Sequence, residues 1–222
     1  MGAETFLVLG SFLKWVGIVL LPLLLLPLLT LIVPKPFSGI AQFVSSQIDR
    51  TTSVFLSVAI VAAVGLVLFQ LTVVIASYAF ALSWTWLSEL VIYAFAAVFM
   101  LGAASALKDD AHVRVDILRP RFGENGRSWI ELAGTYLFLF PICIRILTTG
   151  EQGLARAWSL FEGSRESDGL PLLFLFKTLV PVFAVLLIAQ GLSIAIKAAL
   201  HLAGEAGPEA QLKSTTSDHY GA

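Results

Sequence analysis

The sequence predicts an all-α integral membrane protein, a four-helix transmembrane core with an extra N-terminal transmembrane helix, and three observations carry that prediction. Hydrophobic residues make up 58% of the chain and charged residues only 13%, about half the ~25% of an ordinary soluble domain. Several uncharged runs reach the ~20 residues that a helix needs to cross a bilayer. The remaining charges gather in short connections, and Lys108, Arg114, Arg119, Arg121 and Arg127 share one of them. Such a cluster of Lys and Arg assigns a loop to the cytoplasm. The lipid bilayer is therefore the expected solvent, and the apolar runs give the elements in order.

From Trp15 to Val33 nineteen residues carry no charge, with Pro22 and Pro27 among them. A transmembrane helix kinked at its prolines is the preferred reading, because neighbouring helices can satisfy the freed carbonyls. A signal peptide fits less well, with one lysine ahead of the run and no small-x-small cleavage pattern after it. A re-entrant or interfacial hairpin is the third option, since Pro34 and Pro36 end the run sharply. Residues 34–53 read as a connector: Phe37, Ile40, Phe43, Val44 and Ile48 recur at steps of three and four, the pattern of an interfacial amphipathic helix.

Between Arg50 and Glu89 lie thirty-eight uncharged residues, too many for one crossing and too few for two with a loop. They predict one long helix from about Ser53 to Ala79 and a tight turn through Phe80–Trp84. Gln70 is the strongly polar residue of that span, and an interhelical hydrogen bond is its expected use. The next crossing, from Trp86 to Leu107, has a tryptophan pair suited to the headgroup level and Glu89 in its first turn, facing the positive end of the helix dipole. Its far end, Gly102-Ala-Ala-Ser-Ala106, lets another backbone approach closely.

After the basic loop, a crossing from about Ser128 to Thr149 carries Glu131 and Arg145 near its ends, where both can reach an interface. Residues 150–169 hold four acidic and two basic side chains, against four acidic and five basic in 108–127. That contrast puts 150–169 outside. The last span, Leu170 to Ile196, contains Lys177 near its outer end, with Glu166, Asp168 or another subunit as its expected partner. The polar tail from Gly204 reads as disordered. By sequence the chain divides into an N-terminal helix and connector (1–47), a membrane domain (48–200) and a cytoplasmic tail (201–222).

Chemistry is sparse. The histidines are His112, His201 and His219, none at mid-membrane, so paired-histidine haem ligation within a bundle is unavailable. The lone Cys143 excludes a disulfide framework, and no HExxH or CxxC pattern supports zinc. Lys177 is the candidate base for an intramembrane serine enzyme, and no partner serine stands out. No basic patch with interleaved aromatics supports nucleic-acid binding. No catalytic, cofactor or metal residue is assigned. In His112-Val-Arg-Val-Asp-Ile117, His112, Arg114 and Asp116 alternate with apolar residues, as in a half-buried interfacial strand or turn that braces the loop or meets a partner. The chain therefore reads as an accessory subunit of a larger membrane assembly, with a membrane anchor for a redox enzyme complex as one alternative.

Trp86-x-x-Glu89, Tyr93-Ala-Phe-Ala-Ala-Val-Phe-Met-Leu-Gly-Ala-Ala104, His112-Val-Arg-Val-Asp116 and the run from Lys177 to Gly191 together resemble the small membrane subunit of tripartite ATP-independent periplasmic (TRAP) transporters, the DctQ type. The resemblance covers about residues 48–200. It implies a non-catalytic subunit of a multi-pass transporter in the bacterial inner membrane. Its expected partners are a large permease subunit (DctM-type), which holds the substrate and sodium sites, and a periplasmic substrate-binding protein that delivers an organic acid or similar solute for symport. The small subunit would enlarge the scaffold for a moving transport domain and would bind no cofactor. On the resemblance, Trp86 anchors the outer interface, Glu89 orients that end, Gly102 serves close packing, His112, Arg114 and Asp116 order the inner loop, and Lys177 marks the outer start of the last helix. Two departures stand out: Ala111 replaces a glycine common before the histidine, and segment 6–40 lies outside the usual four-helix core.

Overall fold

A computed structural model of the chain describes residues 23–109, 111 and 122–205, and no strand occurs among them. Helix α1 covers Leu23–Ile32. It stops at Val33, whose N–H still reaches the Leu29 carbonyl at 2.8 Å. Helix α2 then runs without interruption from Pro34 to Phe80, forty-seven residues. The prolines that close α1 also open α2, because first-turn N–H groups have no intrahelical acceptor and proline forfeits nothing there.

At ~1.5 Å per residue α2 is about 70 Å long, more than twice the ~30 Å hydrocarbon core. The sequence-based division into an interfacial helix and a separate span from Ser53 is therefore corrected. Nothing in Ile48-Asp-Arg-Thr-Thr-Ser53 breaks a helix, and the Ser53 hydroxyl donates to the Asp49 carbonyl on its own helix at 2.9 Å. The end of α2 falls where expected. Ala81 takes a left-handed conformation (φ 51°), and the Leu82 N–H turns back to the Ala76 carbonyl at 3.0 Å.

Helix α3 spans Thr85–Lys108 after an extended Trp84. Helix α4 (Gly123–Gly134), a π turn (Thr135–Leu139) and helix α5 (Phe140–Ser159) form one continuous run of thirty-seven residues. Pro141 stands two residues after the π turn. It lacks an N–H for the Leu137 carbonyl and its ring would crowd that group, so a wider turn relieves both. The run extends ten residues beyond Thr149, into a segment whose glycines and charges suggest a loop; Ala157 is buried there, which supplies the packing that keeps it helical. Helix α6 covers Leu173–Leu202, with Pro181 inside, and Gly204 (φ 73°) follows its end in the left-handed region.

Among the described residues, α2, α3, the α4–α5 run and α6 are long and apolar enough to cross a membrane. The chain divides into two compact units. One comprises residues 23–48, 122–139 and 191–205, and its core joins Leu132, Ala195 and Ala199 with Leu28, Leu31 and Tyr136. The other comprises residues 49–109, 111 and 140–190, cored by Ala59, Leu101, Ala104 and Leu186, with Phe55, Ala97, Leu179 and Val182 packed against them. In their most apolar windows 44% of the residues of α6 are buried against 6% of those of α2, so of these two α6 is the more enclosed and α2 the more given to its surroundings.

Candidate functional site

Two polar constellations lie in the second unit, one at each end of its helices. The first is a clasp around Glu89. Because α3 begins at Thr85, Glu89 is its fifth residue and falls in the second turn, not the first. Its carboxylate turns to the 160–172 connection. Oε1 accepts a hydrogen bond from the Ser164 hydroxyl, and Oε2 accepts one from the Leu170 N–H at 2.7 Å. Within the connection the Ser164 N–H meets the Leu170 carbonyl at 2.9 Å and the Glu166 N–H meets Ser164 Oγ at 3.1 Å. A Cβ on Gly169 would fall 2.1 Å from Ser164 Oγ, so glycine is required for the connection to close on the carboxylate.

The same end is braced twice more. Lys177 Nζ pairs with Glu162 at 2.5 Å, a correction of the expected partners Glu166 and Asp168. Glu162 stands four residues nearer the end of α5, while Glu166 lies within the closed connection. The indole N–H of Trp158 donates to Thr178 Oγ1 at 2.9 Å, and Phe174 meets the rings of Trp158 and Phe161 edge-on. Tyr93 stacks on Phe176 at 4.5 Å, which ties α3 to α6 one turn along. Trp84 and Trp86 stay partly exposed, 6.4 Å apart, as interfacial anchors do.

The second constellation centres on Gln190, which is fully buried. Thr52 Oγ1 donates to its Oε1 at 2.8 Å, and its Nε2 donates to Asp49 Oδ1 at 3.1 Å. Lys108 Nζ donates to Ser53 Oγ at 2.9 Å. Side chains of α2, α3 and α6 are thereby tied where the helices carry their charges. An amide with its acceptor and donor both occupied fixes the register of two helices in a low-dielectric setting, where an unpaired partner is costly. Beside these ties Gly102 lies against Ala59, 4.0 Å from a Cβ built on the glycine, with Ala104 and Ser105 buried next to it.

In the other unit Ser45 and Ser193 share a buried hydrogen bond of 2.8 Å, Ser128 meets His201 Nδ1 at 3.2 Å, and the Tyr136 hydroxyl donates to the Leu24 carbonyl. Among the described residues no buried side-chain polar atom lacks a partner, and no three His, Cys, Asp or Glu side chains converge. The described polar chemistry holds helices together.

A family model for the tripartite ATP-independent periplasmic transporters, DctQ component, matches residues 64–201. The chain belongs to the DctQ family. The match takes in α3, α4, α5, nearly all of α6 and the last 17 of the 47 residues of α2. Neither the comparison with curated proteins nor that with solved structures finds a match.

Of the residues singled out by sequence, Trp86, Glu89 and Lys177 gather at the Glu89 end of the second unit, and Gly102 lies at the other. His112, Arg114 and Asp116 lie outside the described residues, as do Trp15–Pro22 and the tail beyond Glu205. Gln70 departs from expectation: it is exposed on α2 and forms no hydrogen bond among the described residues. Asp49, Thr52, Ser164, Gly169 and Gln190 were not singled out. Gln190 lay within the resemblance motif, and its polarity in the apolar run was the available signal.

Proposed function

We propose that this DctQ-family chain is the small permease subunit of a TRAP transporter in the bacterial inner membrane, and that it holds the large permease subunit in place for ion-coupled uptake of an organic acid or similar solute delivered by a periplasmic binding protein. The observation that carries the proposal is the use of the buried polar groups. They brace helices against one another, as the static part of a transporter must be braced, and the most apolar stretch of α2 has only 6% of its residues buried and so stays open to a partner. Substrate and coupling ion are assigned to the large subunit, and this chain contributes no catalytic group. Trp86 and Glu89 keep the outer end in shape; His112, Arg114 and Asp116 order the inner loop or meet the partner there.

The test is capture in mild detergent through a tag on this chain, followed by reconstitution. A large multi-helix permease in stoichiometric amount is expected, with uptake in liposomes that needs both subunits and the binding protein. A chain that purifies alone, stable and able to move a solute by itself, overturns the proposal.

A further inference from the structure

Helix α2 presents two different exposed faces along its outer half. One carries Val61, Val64, Leu68, Leu71 and Ile75, all apolar and all exposed, as a surface against lipid tails should be. The other follows Ile60, Ala63, Val67, Gln70, Val74 and Ser77. Its steps of three and four residues are the spacing of a helix–helix seam, and its small residues admit a close backbone. Ile60, Val67, Gln70, Val74 and Ser77 are exposed along it.

Gln70 decides between lipid and protein as the cover. It lies about 15 Å, at ~1.5 Å per residue, from the Phe80 end of α2, where Trp84 and Trp86 suit the headgroup level, and so about half-way into a ~30 Å hydrocarbon core, beyond the reach of its side chain to that interface. The hydroxyls of Ser57 and Thr72 bond to carbonyls of their own helix at 3.2 and 2.8 Å. Among the described residues the Gln70 amide has no such bond, and lipid tails offer it none. Eighteen residues earlier, five full turns and so the same side of the helix, Thr52 bonds to Gln190 of α6. The seam thus continues a face that α2 already uses for interhelical contact through a side-chain hydrogen bond.

We propose that the seam from Ile60 to Ser77 seats a transmembrane helix of the large permease subunit, and that this helix offers Gln70 a hydrogen-bonding side chain. The proposal rests on the function inferred above and adds the surface through which it is exercised. The test co-expresses the full tagged chain with its large permease subunit and places a photo-crosslinking phenylalanine analogue at Val67 or Val74 on the seam, or at Leu68 or Ile75 on the apolar face. Adducts with the permease are expected from the seam at several times the yield from the apolar face. Gln70→Leu should lower the permease captured about three- to tenfold, and Gln70→Asn should lower it less. Permease captured with equal or stronger adducts from Leu68 and Ile75, or with none from the seam, overturns the docking face and leaves the functional proposal standing. Adducts between two copies of this chain overturn it in favour of self-association. Unchanged capture on Gln70→Leu overturns the hydrogen bond. No permease captured by the unaltered chain overturns the functional proposal, and this one with it.

Discussion

Glu89 shows how one carboxylate can set the shape of a distant segment. It accepts from a hydroxyl and from a backbone N–H of the same connection, and hydrogen bonds to a charged group contribute about 1.5–3 kcal/mol each. Glu89→Gln exchanges one acceptor oxygen for a donor, which cannot serve the Leu170 N–H and the Ser164 hydroxyl as before. Hydrogen exchange at Leu170 should quicken by roughly tenfold or more, and Glu89→Ala should have the larger effect. Gly169→Ala should give the same signature without touching the charge, because the new methyl displaces Ser164. Unchanged protection of Leu170 in all three variants would mean that the connection holds itself closed.

At the scale of elements, Gln190 and Thr52 join α6 to α2 in the buried part of the second unit. Gln190→Leu should destabilise the protein by about 1–3 kcal/mol, since Asp49 loses a donor and Thr52 an acceptor. Thr52→Val should cost less. The double variant should fall short of the sum by about 0.6–1.7 kcal/mol, the usual worth of an interhelical hydrogen bond in membranes, and unfolding in mixed micelles reads that coupling. Strict additivity would remove the bond from the account. The elements themselves were largely legible in the sequence: apolar runs announce the spans, and the small residues after Leu101 announce a close contact. Helix ends were less so. Apolarity records which residues meet lipid, whereas a helix stops where its hydrogen-bond ladder stops. The ladder of α2 therefore begins at Pro34, nineteen residues before the expected start at Ser53, and that of α5 ends at Ser159, ten beyond Thr149. The partners of Glu89, Lys177 and Gln190 lie 75 or more, 15 and more than 130 residues away, and no local periodicity carries such pairings. Gln70 stands out in the sequence as the polar residue of an apolar run; that no side chain among the described residues meets it became visible only with its exposure.

For the whole molecule, lipid replaces water as the solvent, so exposed Val, Ile, Leu and Phe on α2, α3 and α5 are the expected surface. Charge then decides orientation. The five Lys and Arg between 108 and 127 argue for the cytoplasm, and the Glu89 clasp with its tryptophans for the outside. With Cys143→Ala as background, Ser167→Cys should react with a membrane-impermeant maleimide on intact spheroplasts, and Ser214→Cys only after permeabilisation. The reverse pattern would invert the protein and place the clasp in the cytoplasm.

The unbroken length of α2 also bears on how such a chain can change in evolution. From Thr52 to Gln70 the helix makes five turns with no loop to absorb an insertion or deletion. Losing or gaining one residue there would swing everything beyond it by about 100° and turn Gln70 away from the side of the helix that carries Thr52. Substitutions can accumulate along this stretch one by one, but its length is constrained as a gear's tooth count is: only changes that nearly complete whole turns keep both ends in mesh.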